Sequence, residues 1–305
     1  MPIIWYLSSV AFSNKTLVSG VLLKRRPRIS FPGNSPLKNA LMIIGSYFNP
    51  TYSNRNILVK LKDQSFNIKT DEHGGFQVTF DFCADEEVTI SEENNNEALK
   101  IIQNYPVHFK NSESTISIIS DIDDSIMVSY TKTKIKRLIT TLFKPSHKRE
   151  VIPFTEELYK VYKENNPRFF YVSKSESNLF PTISHFIRHN KLPEGTLFLI
   201  PFLSFWQLIK SNKDKNHKYK IISYIIENSP KQHFVLIGDD SQSDMEIYTR
   251  IAHQYKSRLR SIYIRQTQNK LSSQKMQTWE TLRETGIDVY YFKPDEIFSL
   301  THKTT

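Results

Sequence analysis

Residues 116–125 read ISIISDIDDS. A short apolar run stops at Asp121, Asp123, Asp124 and Ser125, so an apolar element hands the chain over to a cluster of acids and a hydroxyl. The pattern recurs downstream. Apolar runs at 169–172, 197–200, 234–237, 262–264 and 289–292 are separated by segments long enough for crossover helices, the sequence signature of a parallel sheet. One intervening segment carries Leu179, Ile183, Phe186 and Ile187 at i, i+4, i+7 and i+8, a stripe that lays a helix against the sheet. The expected fold is α/β, a parallel sheet with helices on both faces.

The first third reads differently. Apolar runs at 18–23 and 40–46 are short, and 65–70 and 76–82 are alternating runs split by Asp71-Glu72-His73-Gly74-Gly75, a hairpin-like turn signal. A small antiparallel sandwich is the simplest arrangement of such runs. The polar stretch SEENNNE at 91–97 reads as a loop near its end. The expected organisation is a β-rich domain over 1–112 and an α/β domain over 113–305.

Composition bounds the rest. The 305 residues suit about two domains, and 39% hydrophobic with 24% charged residues is a globular composition. Lys and Arg number 41 against 31 Asp and Glu, a net charge of +10, which favours partners bearing phosphate: nucleic acid, an anionic membrane surface or a phosphorylated small molecule. Cys83 is the only cysteine, which excludes an intramolecular disulfide and a multi-cysteine zinc site and makes a reducing compartment the default. The apolar stretch at 3–12 lacks a preceding basic residue, unlike a signal peptide. No run reaches the roughly 18 apolar residues of a spanning helix. The expected location is cytoplasmic, with a basic surface able to meet a membrane from outside.

Ligands of an open parallel sheet bind beyond the carboxyl ends of its strands, so the residues after each run carry the chemistry. These are Asp121 to Ser125 after the first run, Ser173 after the second, and Gly238-Asp239-Asp240-Ser241-Gln242-Ser243-Asp244 after the run at 234–237. Gathering Asp121, Asp239 and Asp244 without a cation is costly in repulsion and desolvation, so a hard divalent cation is their natural partner. Oxygen-only ligands point to Mg²⁺. A carboxylate facing a phosphoryl group can attack it to give an aspartyl-phosphate, and a second carboxylic acid two residues on can protonate the leaving oxygen and later activate water. Ser173 and Lys218 are candidates to neutralise the phosphoryl oxygens.

Four segments, ISDIDDSI (119–126), FFYVSKSESNLF (169–180), HKYKII (217–222) and FVLIGDDSQSDMEIY (234–248), resemble the actin-patch-associated phosphatidate phosphatase family of the haloacid dehalogenase superfamily. TDEHGGFQVTF (70–80) is similar to the β-rich region preceding that family's catalytic domain. The resemblance implies a haloacid-dehalogenase-like Rossmannoid domain over roughly 113–300. It implies Asp121 as nucleophile and metal ligand, and Asp123 as general acid/base that offers its backbone carbonyl to Mg²⁺. Ser173, Lys218 and Ser125 would hold the phosphoryl group, Asp239 would complete the metal site, and Asp244 would ligate or orient the ion. Ser125 stands where threonine is usual, Lys174 and Glu176 where small or apolar residues are usual, and Asp240 where serine is common.

Bland readings accompany these. Lys218 lies in a segment, 210–220, with five lysines that can be a solvated face, and Asp244 has the residue type of an N-cap for a helix starting near Met245. The stretch 131–150 carries seven Lys and Arg against Glu150, with Ile135, Leu138, Ile139, Leu142 and Phe143 as a stripe. It is either an electropositive, lipid-facing rim or an ordinary amphipathic helix. Residues 202–206 are aromatic-rich, a core cluster or a lipid groove, and His147, His185 and His189 show no ligand spacing. The expected activity is Mg²⁺-dependent hydrolysis of phosphatidate to diacylglycerol and phosphate. The alternatives are a phosphatase of nucleic-acid ends or sugar phosphates, and a non-catalytic module that binds anionic lipid or nucleic acid.

Overall fold

The computed structural model describes residues 1–28, 32, 35–123, 125–126, 151–204, 216–240, 243–267, 272–293 and 296. The chain opens with β1 (Ile3–Ala11), β2 (Thr16–Leu23), helix α1 (Pro36–Ser46), β3 (Asn56–Leu61), β4 (Gln64–Lys69), β5 (Gly75–Phe80), β6 (Val88–Glu92), β7 (Asn95–Ala98), β8 (Lys100–Ile101) and β9 (His108–Phe109). One sheet runs β5-β2-β1, and the far edge of β1 takes β8 and then β9 in parallel. The other runs β4-β3-β6-β7, antiparallel throughout. Ile4, Leu7, Val18 and Leu22 of the first meet Ile57, Val59, Leu61 and Ile90 of the second in one core, so the region is a sandwich.

Three details differ from expectation. The run at 40–46 is the second half of α1, started by Ser35, whose Oγ accepts from the Lys38 N–H at 3.4 Å, and by Pro36 in the first turn. Ala40, Ile43 and Tyr47 give it a buried face at helical spacing. The runs at 65–70 and 76–82 do not pair with each other: β4 pairs with β3 and β5 with β2, in different sheets. The 71–75 turn therefore carries the chain between sheets. Asp71 Oδ1 accepts from the His73 and Gly75 N–H groups at 2.7 Å each, and Gly74 sits at φ +72° with Leu22 O 2.5 Å from where a Cβ would be. The actual hairpin is β3–β4, closed by Lys62-Asp63 with Lys62 at φ +55°. The third detail is SEENNNE, which contributes to the β6–β7 hairpin at the polar edge of the second sheet.

The second part holds β10 (Ile116–Ser120), α2 (Pro153–Lys163), β11 (Arg168–Glu176), a 3₁₀ turn (Ser177–Leu179), α3 (Phe180–His189), β12 (Thr196–Ile200), α4 (His217–Glu227), β13 (His233–Asp239), α5 (Asp244–Tyr255), β14 (Leu259–Arg265), α6 (Ser273–Glu284) and β15 (Asp288–Phe292). Each apolar run is a strand, and the six form a parallel sheet in the order β12-β11-β10-β13-β14-β15. Alternation along the strands builds two cores. Ile118, Phe169, Tyr171, Val235 and Ile237 face Phe154 and Leu158 of α2 and Ile183 and Phe186 of α3. Ile119, Phe170, Val172, Leu236 and Ile262 face Ile222 and Ile226 of α4, Ile247 and Ile251 of α5, and Leu282 of α6. Helices therefore cover both faces.

The sandwich is fastened to this sheet through β1 and the segment near Tyr105. Trp5 Nε1 donates to Ser177 O at 2.9 Å, Tyr105 OH to Gly195 O at 2.9 Å, and Phe12 stacks on Phe170. Phe202, from the aromatic stretch, meets Trp5 edge-on and is core; Phe205 and Trp206 lie outside the described residues. The basic stretch 131–150 also lies outside them. No helix among the described residues is long and apolar enough to cross a membrane.

Candidate active site

The strand order places β10 beside β13 with connections leaving to opposite sides, which opens a crevice at their carboxyl ends. The acids found at the ends of the apolar runs meet there. The Asp121 N–H, directly after β10, donates to Ile237 O of β13 at 2.8 Å, fixing the first acid to the neighbouring strand. Asp239 ends β13 and Asp244 begins α5. One carboxylate oxygen from each of Asp121, Asp239 and Asp244 lies within 4.8 Å of the others, and all three residues are buried. Gly238 makes room for this: a Cβ there would lie 2.7 Å from Tyr248 Cε2 and 2.9 Å from Asp244 Oδ2. Asp244 is not the N-cap of α5; Ser243 holds that position, and Asp244 in the first turn turns its carboxylate to Lys218.

Lys218, on the first turn of α4, is only 1% exposed. Its Nζ lies 2.9 Å from Asp121 Oδ1 and 2.7 Å from Asp244 Oδ1, so this lysine belongs to the site and not to a solvated face. Burial works against its charge, but Asp121, Asp244 and Asp239 outweigh burial and hold its pKa above the ordinary value. Burial pushes the Asp121 carboxyl well up; Lys218 opposes the rise, and Asp244, Asp239 and Asp123 add to it. Three carboxylates against the Lys218 ammonium, with Lys174 acting on all three from nearby, still leave a formal surplus of negative charge. Asp121 Oδ2 and Asp244 Oδ2 are buried and have no hydrogen-bond donor among the described residues. Acceptor-only oxygens with surplus negative charge fit a hard metal ion, and the triad can hold one.

Asp123 forms a second group. Its Oδ2 accepts from Ser175 Oγ at 2.7 Å and Ser173 Oγ at 3.3 Å, and Ser173 Oγ accepts from the Ser175 N–H at 2.9 Å. Sequence reasoning singled out Ser173, as a partner of phosphoryl oxygens, and did not single out Ser175. The signal was available: Ser173 and Ser175 stand two apart on one strand and so point the same way. Between them, Lys174 reaches Ser243 Oγ at 2.5 Å, and burial together with Lys218 lowers its pKa. The Ser125 carbonyl accepts from Thr155 Oγ1 at 2.7 Å, while its own Oγ is buried without a bond to a described residue. Asp240, adjacent to Asp239, belongs elsewhere. Its carboxylate accepts from the Thr267 N–H at 2.9 Å, from the Thr267 hydroxyl and from Tyr291 OH at 2.5 Å, tying the end of β13 to β15. Asp124, Ser241 and Gln242 lie outside the described residues. His185 and His189 stack on each other, and the metal-competent group contains neither.

Against this geometry, the family model "Phosphatidate phosphatase APP1, catalytic domain" matches residues 116–266, from the first residue of β10 to just past β14. The chain is 27% identical over 241 residues to Phosphatidate phosphatase APP1 of Saccharomyces cerevisiae, covering 78% of this chain and 38% of the yeast protein. It is 28% identical over 152 residues to the uncharacterized protein C29B5.04c of Schizosaccharomyces pombe, covering 49% of this chain and 25% of that one. The matches thus span well under half the length of either relative. Among solved structures, a putative beta-phosphoglucomutase from Thermotoga maritima aligns over 62% of this chain and 99% of its own at 15% identity, with a TM-score of 0.35. The matched residues 116–266, just under half of the chain, hold all four acids and Lys218, and through them the chain is similar to the catalytic domain of phosphatidate phosphatase APP1.

Proposed function

We propose that the chain is a Mg²⁺-dependent phosphomonoesterase of the haloacid dehalogenase type. It converts phosphatidate to diacylglycerol and phosphate through an aspartyl-phosphate on Asp121. The observation that carries this reading is the buried group of Asp121, Asp239 and Asp244 with Lys218 between two of them. The printed name of the yeast relative supports the choice of a lipid phosphate. Residues 113–305 form the catalytic part in this reading, and the protein works from the cytoplasmic side on substrate held in a membrane.

Asp121, Asp239, Asp244 and the Asp123 backbone carbonyl would hold Mg²⁺. When bound, the ion neutralises the surplus carboxylate charge and polarises the phosphoryl oxygens. The remaining work falls to side chains. A carboxylate oxygen of Asp121 attacks phosphorus, and the bond from phosphorus to the glycerol oxygen breaks as the Asp123 carboxyl hands that oxygen its proton. Water then adds to phosphorus, Asp123 takes its proton, and the bond to Asp121 breaks to release phosphate. Lys218, Ser173 and the segment at Ser125 hold the phosphoryl oxygens; Ser175 and Ser173 fix the Asp123 carboxylate while it exchanges protons.

The test is phosphate release from phosphatidate in detergent micelles, with Mg²⁺ or with chelator, beside the Asp121→Asn variant. Mg²⁺-dependent release that disappears in the variant is expected. Absence of release from a folded protein would overturn the lipid reading, and release from phosphorylated oligonucleotide ends or sugar phosphates would redirect the same chemistry.

A further inference from the structure

Helix α1 is apolar on two faces, and the fold uses only one. Ala40, Ile43 and Tyr47 are buried against β1 and the rest of the first core. On the other side, Leu37, Leu41 and Ile44 are 69%, 53% and 43% exposed. Their spacing of i, i+4 and i+7 makes one continuous stripe, and Phe48, just past the helix, is 64% exposed. Large apolar side chains collected on one exposed face mark an interaction surface.

The surroundings say what it fits. Lys24, Arg25, Arg26 and Arg28 are exposed in the segment leaving β2, and Arg25, Arg26 and Arg28 share a cleft with Leu41 and Gly45 of α1. Lys38 adds an exposed cation on the helix itself. No Asp or Glu occurs in the chain before Asp63, so neither α1 nor the segment leaving β2 carries an acid. Cations beside an apolar helix face match a bilayer bearing negative headgroups, where the apolar side chains enter the acyl boundary and the cations meet lipid phosphates. A nucleic acid would leave the leucines unused, and a second copy of the chain would bring like charges together. The placement also fits: α1 packs on the 3₁₀ turn Ser177–Leu179, which follows Ser173 and Ser175 out of the crevice.

We propose that this face docks the chain on an anionic lipid surface, with Leu37, Leu41 and Ile44 inserted and Arg25, Arg26, Arg28 and Lys38 on the headgroups. The proposal goes beyond the phosphatase reading and needs no turnover. The test is flotation of the full chain with phosphatidylcholine vesicles, with and without a minor share of phosphatidylserine and with no phosphatidate present. Wild-type protein is expected to float with the anionic vesicles only. Leu37→Ser, Leu41→Ser and Ile44→Ser together should weaken binding roughly tenfold or more. Arg25→Glu, Arg26→Glu and Arg28→Glu should weaken it by roughly fivefold per position or more. All these positions are exposed, so melting temperature should hold, and the single variant Leu41→Asp repeats the apolar test with the least disturbance.

Three outcomes overturn the proposal. The wild type fails to float, or the leucine variant floats like wild type while an oligonucleotide competes the protein off. The third is that the leucine substitutions dissolve a dimer in sedimentation and leave vesicle binding unchanged. A protein that floats but does not hydrolyse phosphatidate keeps this proposal and loses the phosphatase one; the reverse removes this one alone.

Discussion

Replacing Lys218 by methionine keeps the length of the buried side chain and removes its charge. The ammonium lies 2.9 Å from Asp121 and 2.7 Å from Asp244, with Asp239 in the same group. Without it, the three buried acids face one another with only the half-buried Lys174 acting on them as a cation among the described residues. Removing one partner from a buried charged group costs about 3–5 kcal/mol. At about 2–4 °C per kcal/mol for a protein of this size, the melting temperature in chelator should fall by roughly 6–20 °C. Saturating Mg²⁺ should recover much of the loss and raise the melting temperature of Lys218→Met by more than that of wild type, because the variant site carries more negative charge. Thermal melts of both proteins in chelator and in Mg²⁺ measure all four values. A variant within about 2 °C of wild type in chelator, or one that gains less from Mg²⁺, would refute the reasoning that Lys218 is the internal counter-ion of the acids.

The raised Asp121 pKa gives a pH dependence. The folded state keeps a proton that the unfolded chain releases near pH 4, so this group's stabilisation is complete below that and is lost as pH rises toward the folded pKa. The melting temperature of metal-free wild type relative to Asp121→Asn should therefore fall as pH rises above about 4, and saturating Mg²⁺ should abolish the fall. Gly238→Ala puts a methyl 2.7 Å from Tyr248 and 2.9 Å from Asp244. It should destabilise the protein by about 1–3 kcal/mol and weaken Mg²⁺ binding roughly tenfold or more by displacing Asp244, read by denaturant unfolding and titration calorimetry. Ser175→Ala removes the 2.7 Å donor to Asp123. A bond to a charged group is worth about 1.5–3 kcal/mol, so kcat on phosphatidate micelles should drop by roughly tenfold or more with KM little changed.

The strands of the parallel sheet were legible because each holds an apolar run between polar ends, and the acids were legible because they sit where those runs stop. What escaped has local causes. Helix α1 was hidden by its outer face: with Leu37, Leu41 and Ile44 apolar as well, residues 40–46 show no helical period. The β3–β4 hairpin was hidden because Lys62 takes a positive φ that glycine or asparagine usually announces. Strand β11 runs on through Ser-Lys-Ser-Glu, which reads as a loop, and Ser175 was lost with it. Asp239 and Asp240 look equivalent as letters, yet one joins the acid group and the other binds Thr267 and Tyr291. Alternation of side-chain direction, not residue type, separates them.

The way β1 is used sets an order of events during synthesis. Synthesis delivers it well before its partners: its indole acceptor at Ser177 lies 172 residues downstream, and its far edge waits for β8 and β9. Until most of the chain has emerged, a nascent strand with an open hydrogen-bonding edge and an uncovered apolar face is available to any other chain nearby. Contacts that distant form slowly, and unpaired edges aggregate in the interval. Slowed translation or lower growth temperature should favour the soluble product, and Trp5→Ala, which removes the tie, should shift the product toward aggregate before it affects the chemistry of the crevice.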